Sequence, residues 1–319
     1  EHVLKPPAEM AALFHDLPEA VRETRRIAER CRFDLTRNLG YRPPGRSGDA
    51  DRALFVDGNG HIVNGDGVLL AAAKYPLIVA GGGVHLSGAH EVLAELQEAA
   101  SLPVATTSMG KGAVAETHAL SLGVIGYFMG TRGMARHMRE LVDRADCVLF
   151  VGDRTNQNGT DSWTLFPKTA RYIHIDVDSQ EIGRNYEALR LNGDAKLTLA
   201  KLARAFAGID PATGRSARSG VEQIIGVVHQ RAAAEALPRL NSEAVPIRPE
   251  RLMRELDAVL DENAIVVSDA SYAPIWCANY LQARRAGQRF LAGRGLAGLG
   301  WGLPAALGAK DRKSTRLNS

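Results

Sequence analysis

The sequence of 319 residues has few cysteines, few aromatic residues and almost no net charge. Its three cysteines, Cys31, Cys147 and Cys277, are far apart and lack the spacing of a metal site or a disulfide framework. With aromatic residues at 6% and a formal net charge of +3, the composition gives no basis for binding nucleic acid or a membrane surface. No apolar run reaches the roughly 20 residues that a transmembrane helix needs. We therefore predict a cytoplasmic protein without nucleic-acid, membrane or metal partners in these residues, with Cys147 buried as a packing residue.

Glycine, by contrast, is plentiful, and its densest cluster lies near the carboxyl end of the sequence. The stretch 293–302 contains five glycines in ten positions, and Leu303-Pro304-Ala305-Ala306 follows as the predicted first turn of a helix. Such a backbone can approach a ligand closely and then present free helix N–H groups to it. On its own, this pattern predicts close contact with some ligand and does not identify it.

Short apolar runs alternate with helical patterns from residue 68 onward. This alternation predicts an α/β fold with right-handed βαβ units: a Rossmann-like parallel-sheet central domain, followed by a truncated second α/β cofactor-binding domain. The first unit has predicted strands at 76–80, 103–107, 147–152 and 172–177, and helices at 89–100, 133–144 and 194–207. In the second unit we predict helices at 249–260 and 272–284 and strands at 264–268 and 289–291.

Composition shifts predict five segments along the chain. Residues 1–48 form a helical segment and linker foreign to the rest, 49–207 the central domain, and 208–247 an interdomain linker with one helix. Residues 248–310 form the partial second domain, and 311–319 a polar tail that looks appended. Within 53–63, the turn signal Asp57-Gly58-Asn59-Gly60 predicts a short hairpin.

Polar and small residues follow several of the predicted strands, at the edge where open parallel sheets bind ligands. The glycines at 81–83 are equally consistent with a phosphate-binding turn and with a plain tight turn. Asp176 could contact sugar hydroxyls or cap a helix. For Asp178 we favour the cap, and for His174 packing inside the sheet. The polar loop 152–161, the turn 192–195 and the stretch 269–272 are further candidates for the same kind of contact.

In the order in which they occur, these motifs resemble those of thiamine-diphosphate-dependent enzymes of the acetolactate synthase type. The resemblance is carried by 76–84, 103–112, 122–126, 173–182, 192–195 and 295–309, and it covers about three quarters of the chain. It implies a carboligase that decarboxylates a 2-ketoacid and forms a carbon–carbon bond. It also implies Mg²⁺ as a second cofactor and a homo-oligomer, dimer or tetramer.

The resemblance assigns two groups of binding residues. Around thiamine diphosphate, the Ala297 carbonyl and the Leu299 N–H would bind the pyrimidine ring, and the Leu299 side chain would hold the cofactor bent. The whole thiamine group is Asp269, Ala270, Ser271, Tyr272, Gly295, Ala297, Gly298, Leu299 and Gly300. In the flavin-binding members, FAD would be surrounded by Gly81, Gly82, Gly83, Thr107, Ser108, Val124, Gly152, Arg154, Asn156, Asp176, Asp194 and Ala195.

Three features depart from the family pattern. The domain with the glutamate that activates the pyrimidine does not precede these motifs, and the Gly-Asp-Gly…Asn metal motif does not follow residue 310. Arg154-Thr155-Asn156-Gln157-Asn158 replaces the family's flavin-loop pattern Arg-Phe-Asp-Asp-Arg. We therefore expect no catalytic residue and no turnover in this polypeptide alone. The alternatives are a decarboxylase or lyase of another 2-ketoacid or acyl substrate, and a non-catalytic nucleotide- or flavin-binding module.

Residues 1–42 resemble something else, a short segment of bacterial DNA polymerase III α-type chains. The similarity lies in Leu13-Phe14, Asp16–Ala20 and Ile27–Cys31, and none of that family's catalytic carboxylates accompanies it. Together with the polar residues 311–319, it suggests the hypothesis of a composite reading frame. Resequencing of the source locus tests this hypothesis.

Overall fold

A computed structural model describes residues 54–56, 62–64, 70, 73–130, 133–207 and 220–317. All of these residues belong to one compact unit, Ala53–Ser319. The helical prediction for 1–42 and the turn predicted at 57–60 lie outside the described residues. The flanks of that turn, β1 (Leu54–Val56) and β2 (Ile62–Asn64), pair in antiparallel fashion, as the hairpin prediction requires.

Six parallel strands form the central sheet, in the order β5-β4-β3-β6-β7-β8. Counted from β3 as the first strand, this is the order 3-2-1-4-5-6 of dinucleotide-binding folds. The predicted Rossmann-like class is therefore confirmed. The strands are β3 (Pro76–Ala80), β4 (Val104–Thr106), β5 (Ser121–Val124), β6 (Cys147–Val151), β7 (Arg171–Asp176) and β8 (Leu189–Asn192).

Helices cover both faces of this sheet, which explains why its central strands are apolar throughout. Ile78 and Leu149 point into one buried cluster with helix α2 (His90–Ala100), while Leu77 and Val148 on alternate positions point into a second cluster on the other face. Cys147 is buried in the first cluster, as predicted. The helices of this part are α1 (Gly82–Leu86), α2 (His90–Ala100), α3 (Arg139–Asp143), α4 (Ala195–Ala207) and α5 (Val221–Leu240).

A second, smaller α/β arrangement follows α5. In it, β9 (Val266–Ser268) and β10 (Phe290–Ala292) pair in parallel, so that Ser268 lies opposite Ala292 and the two following loops begin side by side. Its helices are α6 (Pro249–Val259), α7 (Ala273–Tyr280) and α8 (Gly302–Leu317). Helix α8 runs across the boundary at residue 311 where we predict an appended tail.

Several elements differ from the sequence prediction, among them the unpredicted helix α1 and helix α7, which ends at Tyr280 and not at 284. The helix predicted at 133–144 is a 3₁₀ turn (Arg136–Met138) followed by the short α3. The Arg136 and Met138 N–H groups donate to the carbonyls three residues earlier, those of Gly133 and Ala135, at 3.2 and 2.9 Å, which is the 3₁₀ pattern. Strands β5 and β8 are not in the prediction, because they are short and carry glycine or exposed charge: Gly123 in β5, Arg190 in β8.

Candidate functional site

A cleft of about 530 Å³ opens at the carboxyl ends of the central strands. Strands β3 and β6 are neighbours there, and the chain leaves them toward opposite sides of the sheet. Open α/β sheets bind nucleotides at this topological switch point. We call this cavity the switch-point cleft; it is lined by the turns after β3, β4, β6, β7 and β8.

Most of the residues predicted to surround FAD line this cleft. Gly82, Gly83, Thr107, Ser108, Gly152, Arg154, Asn156, Asp176, Asp194 and Ala195 do so. Gly81 and Val124 are not among the lining residues. The Val124 side chain is buried against Phe128 and Ala278 instead, facing α7. Asp153, Asn158, Gly159 and Gly193 also line the cleft, and they belong to the candidate loops 152–161 and 192–195. Lining residues outside the prediction are Leu86, Ser87, Met109, Val177 and Arg294.

The glycines after β3 are required by close contact between two turns. A Cβ on Gly81 would lie 2.2 Å from the Gly152 carbonyl oxygen, and one on Gly83 would lie 2.6 Å from the Gly152 Cα. The Gly83 N–H donates to that same carbonyl at 2.9 Å. No side chain fits between these backbones, so the floor of the cleft is bare main chain. This packing alone explains Gly81, whereas Gly82 and Gly83 also face the cavity.

The cleft contains a buried carboxyl group, that of Asp153, which is only 4% exposed. Its Oδ1 accepts the Thr155 N–H at 3.2 Å, while its Oδ2 has no hydrogen-bond partner among the described residues. Burial raises the pKa of this carboxyl to about 7, because desolvation disfavours the charged form. Asp153 therefore differs from a typical surface aspartate in both geometry and charge. A polar loop in the sequence gave no signal of this burial.

The other predicted acids of the cleft shape its turns. Asp176 Oδ1 accepts the Asp178 N–H at 2.9 Å, and Asp178 Oδ1 accepts the Gln180 N–H at 2.9 Å. Asp194 Oδ1 accepts the Leu197 N–H at 3.0 Å and so caps α4. One oxygen of each of these carboxylates is therefore used to fix a turn or to cap a helix. Asp176 and Asp194 also line the cleft.

His174 packs inside the sheet, as predicted. It is 1% exposed, its Nε2 contacts the Asp153 backbone carbonyl at 2.8 Å, and its Nδ1 accepts the Gly183 N–H at 3.4 Å. Burial lowers the pKa of this imidazole. With Nδ1 accepting, the single proton of the neutral ring is on Nε2, and His174 fixes the backbone of the Asp153 loop.

Asp269 joins the two stretches predicted to contact thiamine diphosphate. Its Oδ1 accepts the Ala270 N–H and its Oδ2 accepts the Gly300 N–H, both at 2.8 Å. These backbone N–H groups hold the pKa of Asp269 below its usual range. The structure thus brings the 269–272 stretch and the 295–300 stretch together, as the β9–β10 pairing dictates. The role of Asp269 as the link between them is a finding that the sequence did not indicate.

The glycine-rich segment 293–302 presents apolar side chains and unpaired backbone groups to the outside. Leu299 is 76% exposed, and Leu296 and Leu303 are exposed as well. Among the described residues, none forms a hydrogen bond with the Ala297 carbonyl or the Leu299 N–H. Ser271 and Ala297 have φ values of +73° and +53°, a strained backbone conformation for residues other than glycine. Ala270 is buried and Tyr272 exposed.

A buried ion pair connects the two parts of the molecule. Lys111, 2% exposed, lies in the loop that follows β4 and contacts both carboxylate oxygens of Glu116 at 2.6 Å. Its ammonium also donates to the Ala278 carbonyl of α7 at 3.3 Å and lies 4.8 Å from the centre of the Phe290 ring. Glu116 in turn accepts the Ala283 N–H at 2.9 Å. We call this arrangement the junction ion pair.

A second cavity of about 530 Å³ lies between α7 and two 3₁₀ turns, Tyr127–Met129 and Arg136–Met138. Tyr127, Arg139 and Asn279 are among its lining residues. The Arg139 guanidinium donates to Asp161 at 3.0 Å, so its charge is compensated within the wall. Nothing in the sequence indicated this cavity.

In the part of the chain that the structure describes, no group of three or more His, Cys, Asp or Glu side chains is arranged to hold a metal ion. Within the same residues, no helix combines the length and apolar character needed to cross a membrane. The thiols of Cys147 and Cys277 are free, and burial raises the pKa of Cys147 to about 12. Burial also raises the pKa of Cys277 above its usual range, so both thiols are held in the protonated, less reactive form.

Comparison with known proteins identifies the domain that holds the switch-point cleft. Residues 68–202 match the thiamine pyrophosphate enzyme central domain. The chain carries the central domain of thiamine pyrophosphate enzymes. Within that domain lie the six-stranded sheet and all the cleft residues except Arg294.

Curated relatives extend the similarity beyond the thiamine-enzyme central domain. The chain is 35% identical over 253 residues to a probable acetolactate synthase large subunit of Methanococcus aeolicus, covering 77% of this chain and 41% of that protein. The corresponding protein of Methanocaldococcus jannaschii is 34% identical over 252 residues, covering 77% and 40%. Acetolactate synthase isozyme 3 large subunit of Escherichia coli is 30% identical over 247 residues, covering 76% and 40%. The chain thus spans about two fifths of the length of these relatives.

Proposed function

We propose that this chain supplies the central domain and half of the thiamine-diphosphate site of an acetolactate-synthase-like carboligase. Its substrate would be a small 2-ketoacid, with Mg²⁺ as the second cofactor, a homo-oligomer as the working form and the cytoplasm as its location. The observation that carries the proposal is the Asp269–Gly300 hydrogen bond, which joins two separate stretches into one surface. The similarity to acetolactate synthase large subunits supports the same assignment.

The residues of the glycine-rich segment fit the pyrimidine half of such a cofactor. The Ala297 carbonyl and the Leu299 N–H have no described partner. The carbonyl can accept a hydrogen bond from the amino group of the aminopyrimidine, and the N–H can donate to a ring nitrogen. A Cβ at Gly295, Gly298 or Gly300 would have no atom within 4 Å, so the open space on this side is wide enough for a flat ring. When bound, thiamine diphosphate supplies a carbon centre that stabilises the carbanion left by decarboxylation. The exposed Leu299 would contact the cofactor and exclude water from one side of it.

The switch-point cleft fits a nucleotide, and FAD is the candidate that the family resemblance suggests. Gly82 and Gly83 present bare backbone, and Arg154 and Arg294 supply positive charge on its walls. The cleft is formed entirely by this chain, which also favours a second candidate function: a nucleotide-binding module without catalysis. Absorbance of bound flavin in the purified protein tests FAD directly. A colourless protein that does not bind added FAD would contradict the FAD assignment.

Thiamine binding is tested by fluorescence, because Trp301 lies in the glycine-rich segment. Titration with thiamine diphosphate and Mg²⁺ should change the tryptophan emission of the 319-residue chain. Leu299→Ala should weaken this binding by about tenfold, whereas Leu303→Ala, an equally exposed leucine one turn away, should not. Equal affinities of the two variants would contradict the role of Leu299.

The proposed reaction is tested by acetolactate formation from pyruvate with thiamine diphosphate, Mg²⁺ and FAD added. For a polypeptide of these 319 residues alone we expect no turnover. Its residues hold one side of the cofactor, and no described cluster is arranged to hold the metal. Substantial acetolactate formation by this polypeptide would overturn the proposal that it supplies only half of the thiamine-diphosphate site.

A further inference from the structure

We propose that Asp153 couples nucleotide binding in the switch-point cleft to the uptake of one proton. The inference rests on the proposed nucleotide function of that cleft and deepens it. In this reading, a neutral Asp153 carboxylic acid donates its O–H to a phosphate oxygen of the ligand, and an ionised Asp153 repels the same phosphate.

The geometry of Asp153 supplies the first argument. It lines the cleft directly after β6, and its backbone touches the bare turn after β3: a Cβ added to Gly81 would lie 2.6 Å from the Asp153 Cα. The side chain is 96% buried, yet Oδ2 has no hydrogen-bond partner among the described residues. A buried polar atom without a partner is unfavourable, which points to a group outside the chain that completes it.

The surroundings of Asp153 supply the second argument, because they bring little positive charge to it. From β7 and the loop behind it, Asp176 and Glu181 act on Asp153 and favour its neutral form. His174, also on β7, is neutral and bonded to the Asp153 backbone, and Tyr186 is an uncharged phenol. The turn after β3 brings no titratable side chain, since it consists of glycines.

Among the groups that act on Asp153 in the described part of the chain, Arg154 is a cation, and its effect is smaller than that of burial. Arg294 lines the cleft from the other part of the chain. Burial, acting with the two acids, raises the pKa of Asp153 to about 7. An anionic ligand adds negative charge beside the same carboxyl group and favours its protonation further. Above pH 7, binding a diphosphate therefore requires a proton from solvent.

Linkage gives the size of the effect. The association constant for a diphosphate ligand should fall by up to about tenfold per pH unit above pH 7, the limit for one coupled proton. Below pH 6, where Asp153 is already neutral, the constant should not change with pH through this group. A ligand without phosphate should show neither effect.

The experiment is a titration of the 319-residue chain with FAD, ADP and adenosine from pH 5.5 to pH 8.5. Calorimetry in two buffers of different ionisation enthalpy counts the protons taken up by the unmodified protein. We expect close to one proton at pH 8 for FAD and ADP and none for adenosine. In Asp153→Asn, which keeps the shape and cannot ionise, the pH slope should disappear.

A matched control is Asp176→Asn, which removes another carboxylate from the wall of the same cleft. It should change the affinity for FAD but retain the decline above pH 7. An equal pH slope in the unmodified chain and in Asp153→Asn would overturn the inference and leave the nucleotide function intact. Failure of FAD and ADP to bind at any pH would overturn both. Because proton counting needs no variant, the test stands even if Asp153→Asn does not fold.

Discussion

The two glycine clusters of this molecule look alike in sequence and differ in what surrounds them. At Gly81 and Gly83, the space that a side chain would need is filled by the backbone of Gly152. At Gly295 and Gly298, an added Cβ would meet no atom within 4 Å. The first cluster is glycine because the chain packs against itself. Gly295 and Gly298 have no such reason within the described residues, which points to a ligand or a neighbouring subunit beside them. Gly300, with a φ of +87°, and Gly302, close to Asp269, do have reasons within the chain.

The same contrast appears in the polar groups of the two regions. Around the switch-point cleft, Asp176, Asp178 and Asp194 each accept a backbone N–H, so the turns are fixed before any ligand arrives. In the glycine-rich segment, the Ala297 carbonyl and the Leu299 N–H have no described partner. The cleft is therefore preorganised, whereas the segment is one wall of a site. Substitutions in the cleft should change stability, and those in the segment should change binding.

The largest effect is expected at the junction ion pair, which joins the two regions. Lys111→Met would leave Glu116 as a largely buried carboxylate without its cation. Breaking a buried pair in this way costs about 3–5 kcal/mol. Urea denaturation would measure the loss of unfolding free energy. The double variant Lys111→Met/Glu116→Gln should recover part of it, and a single variant as stable as the unmodified chain would contradict the role of this pair.

The next largest effect concerns the buried acid of the cleft and depends on pH. The folded-state pKa of Asp153 is about 7, well above the 3.8 of an unperturbed aspartate, so folding binds a proton between these values. The contribution of Asp153 to stability is therefore fully present below pH 3.8 and is lost as the pH rises to 7. At about 1.4 kcal/mol per pKa unit, the loss is at most about 4 kcal/mol.

Asp153→Asn removes this dependence, because an amide does not ionise. Compared with the unmodified chain, the variant should gain relative stability from pH 4 to pH 7 and keep that advantage above pH 7. Urea midpoints of both proteins at pH 5 and pH 8 measure the difference. Parallel stability profiles of the two proteins would show that Asp153 titrates normally.

Gly81→Ala tests the cleft side of the glycine comparison. Its φ of −96° suits any residue, so the substitution isolates the close approach of the two turns. The new methyl group would overlap the Gly152 carbonyl oxygen at 2.2 Å, and the β3 and β6 turns would have to separate. Overpacking of this kind costs about 1–3 kcal/mol, measured as a lower urea midpoint. An unchanged midpoint would mean that the turns move apart freely.

Much of the fold could be predicted because buried strands have a simple signature. The uninterrupted apolar runs in β3 and β6 indicated a parallel sheet, and their polar ends indicated the edge that forms the cleft. Edge strand β8 gave no such signal, since it alternates buried Leu191 with exposed Arg190 and Asn192. The helix predicted from residue 133 is wrong, because the Arg136 and Met138 N–H groups bond three residues back in a 3₁₀ turn, which the apolar spacing did not reveal.

The candidate site could be predicted where it depends on neighbouring strands and not where it depends on distant contacts. Strand ends brought Gly83, Asp176 and Asp194 to one cleft, as expected of a parallel sheet. Arg294 reaches the same cleft from the second part of the chain, which no local pattern shows. The burial of Asp153 was equally hidden, because a polar loop in sequence gives no measure of how closely the glycine turn packs over it.

The smallest effect on stability is expected for Gly298→Ala, the counterpart of Gly81→Ala in the glycine-rich segment. The added methyl group has open space around it, and Gly298 does not require a positive φ. Surface substitutions of this kind change stability by less than about 0.5 kcal/mol, so the urea midpoint should stay where it is. The same methyl group would lie where the proposed pyrimidine ring approaches the backbone, so thiamine diphosphate should bind about tenfold more weakly. A variant that loses stability as Gly81→Ala does would mean that both clusters are glycine for internal packing. One that keeps both its stability and its cofactor affinity would remove Gly298 from the proposed site.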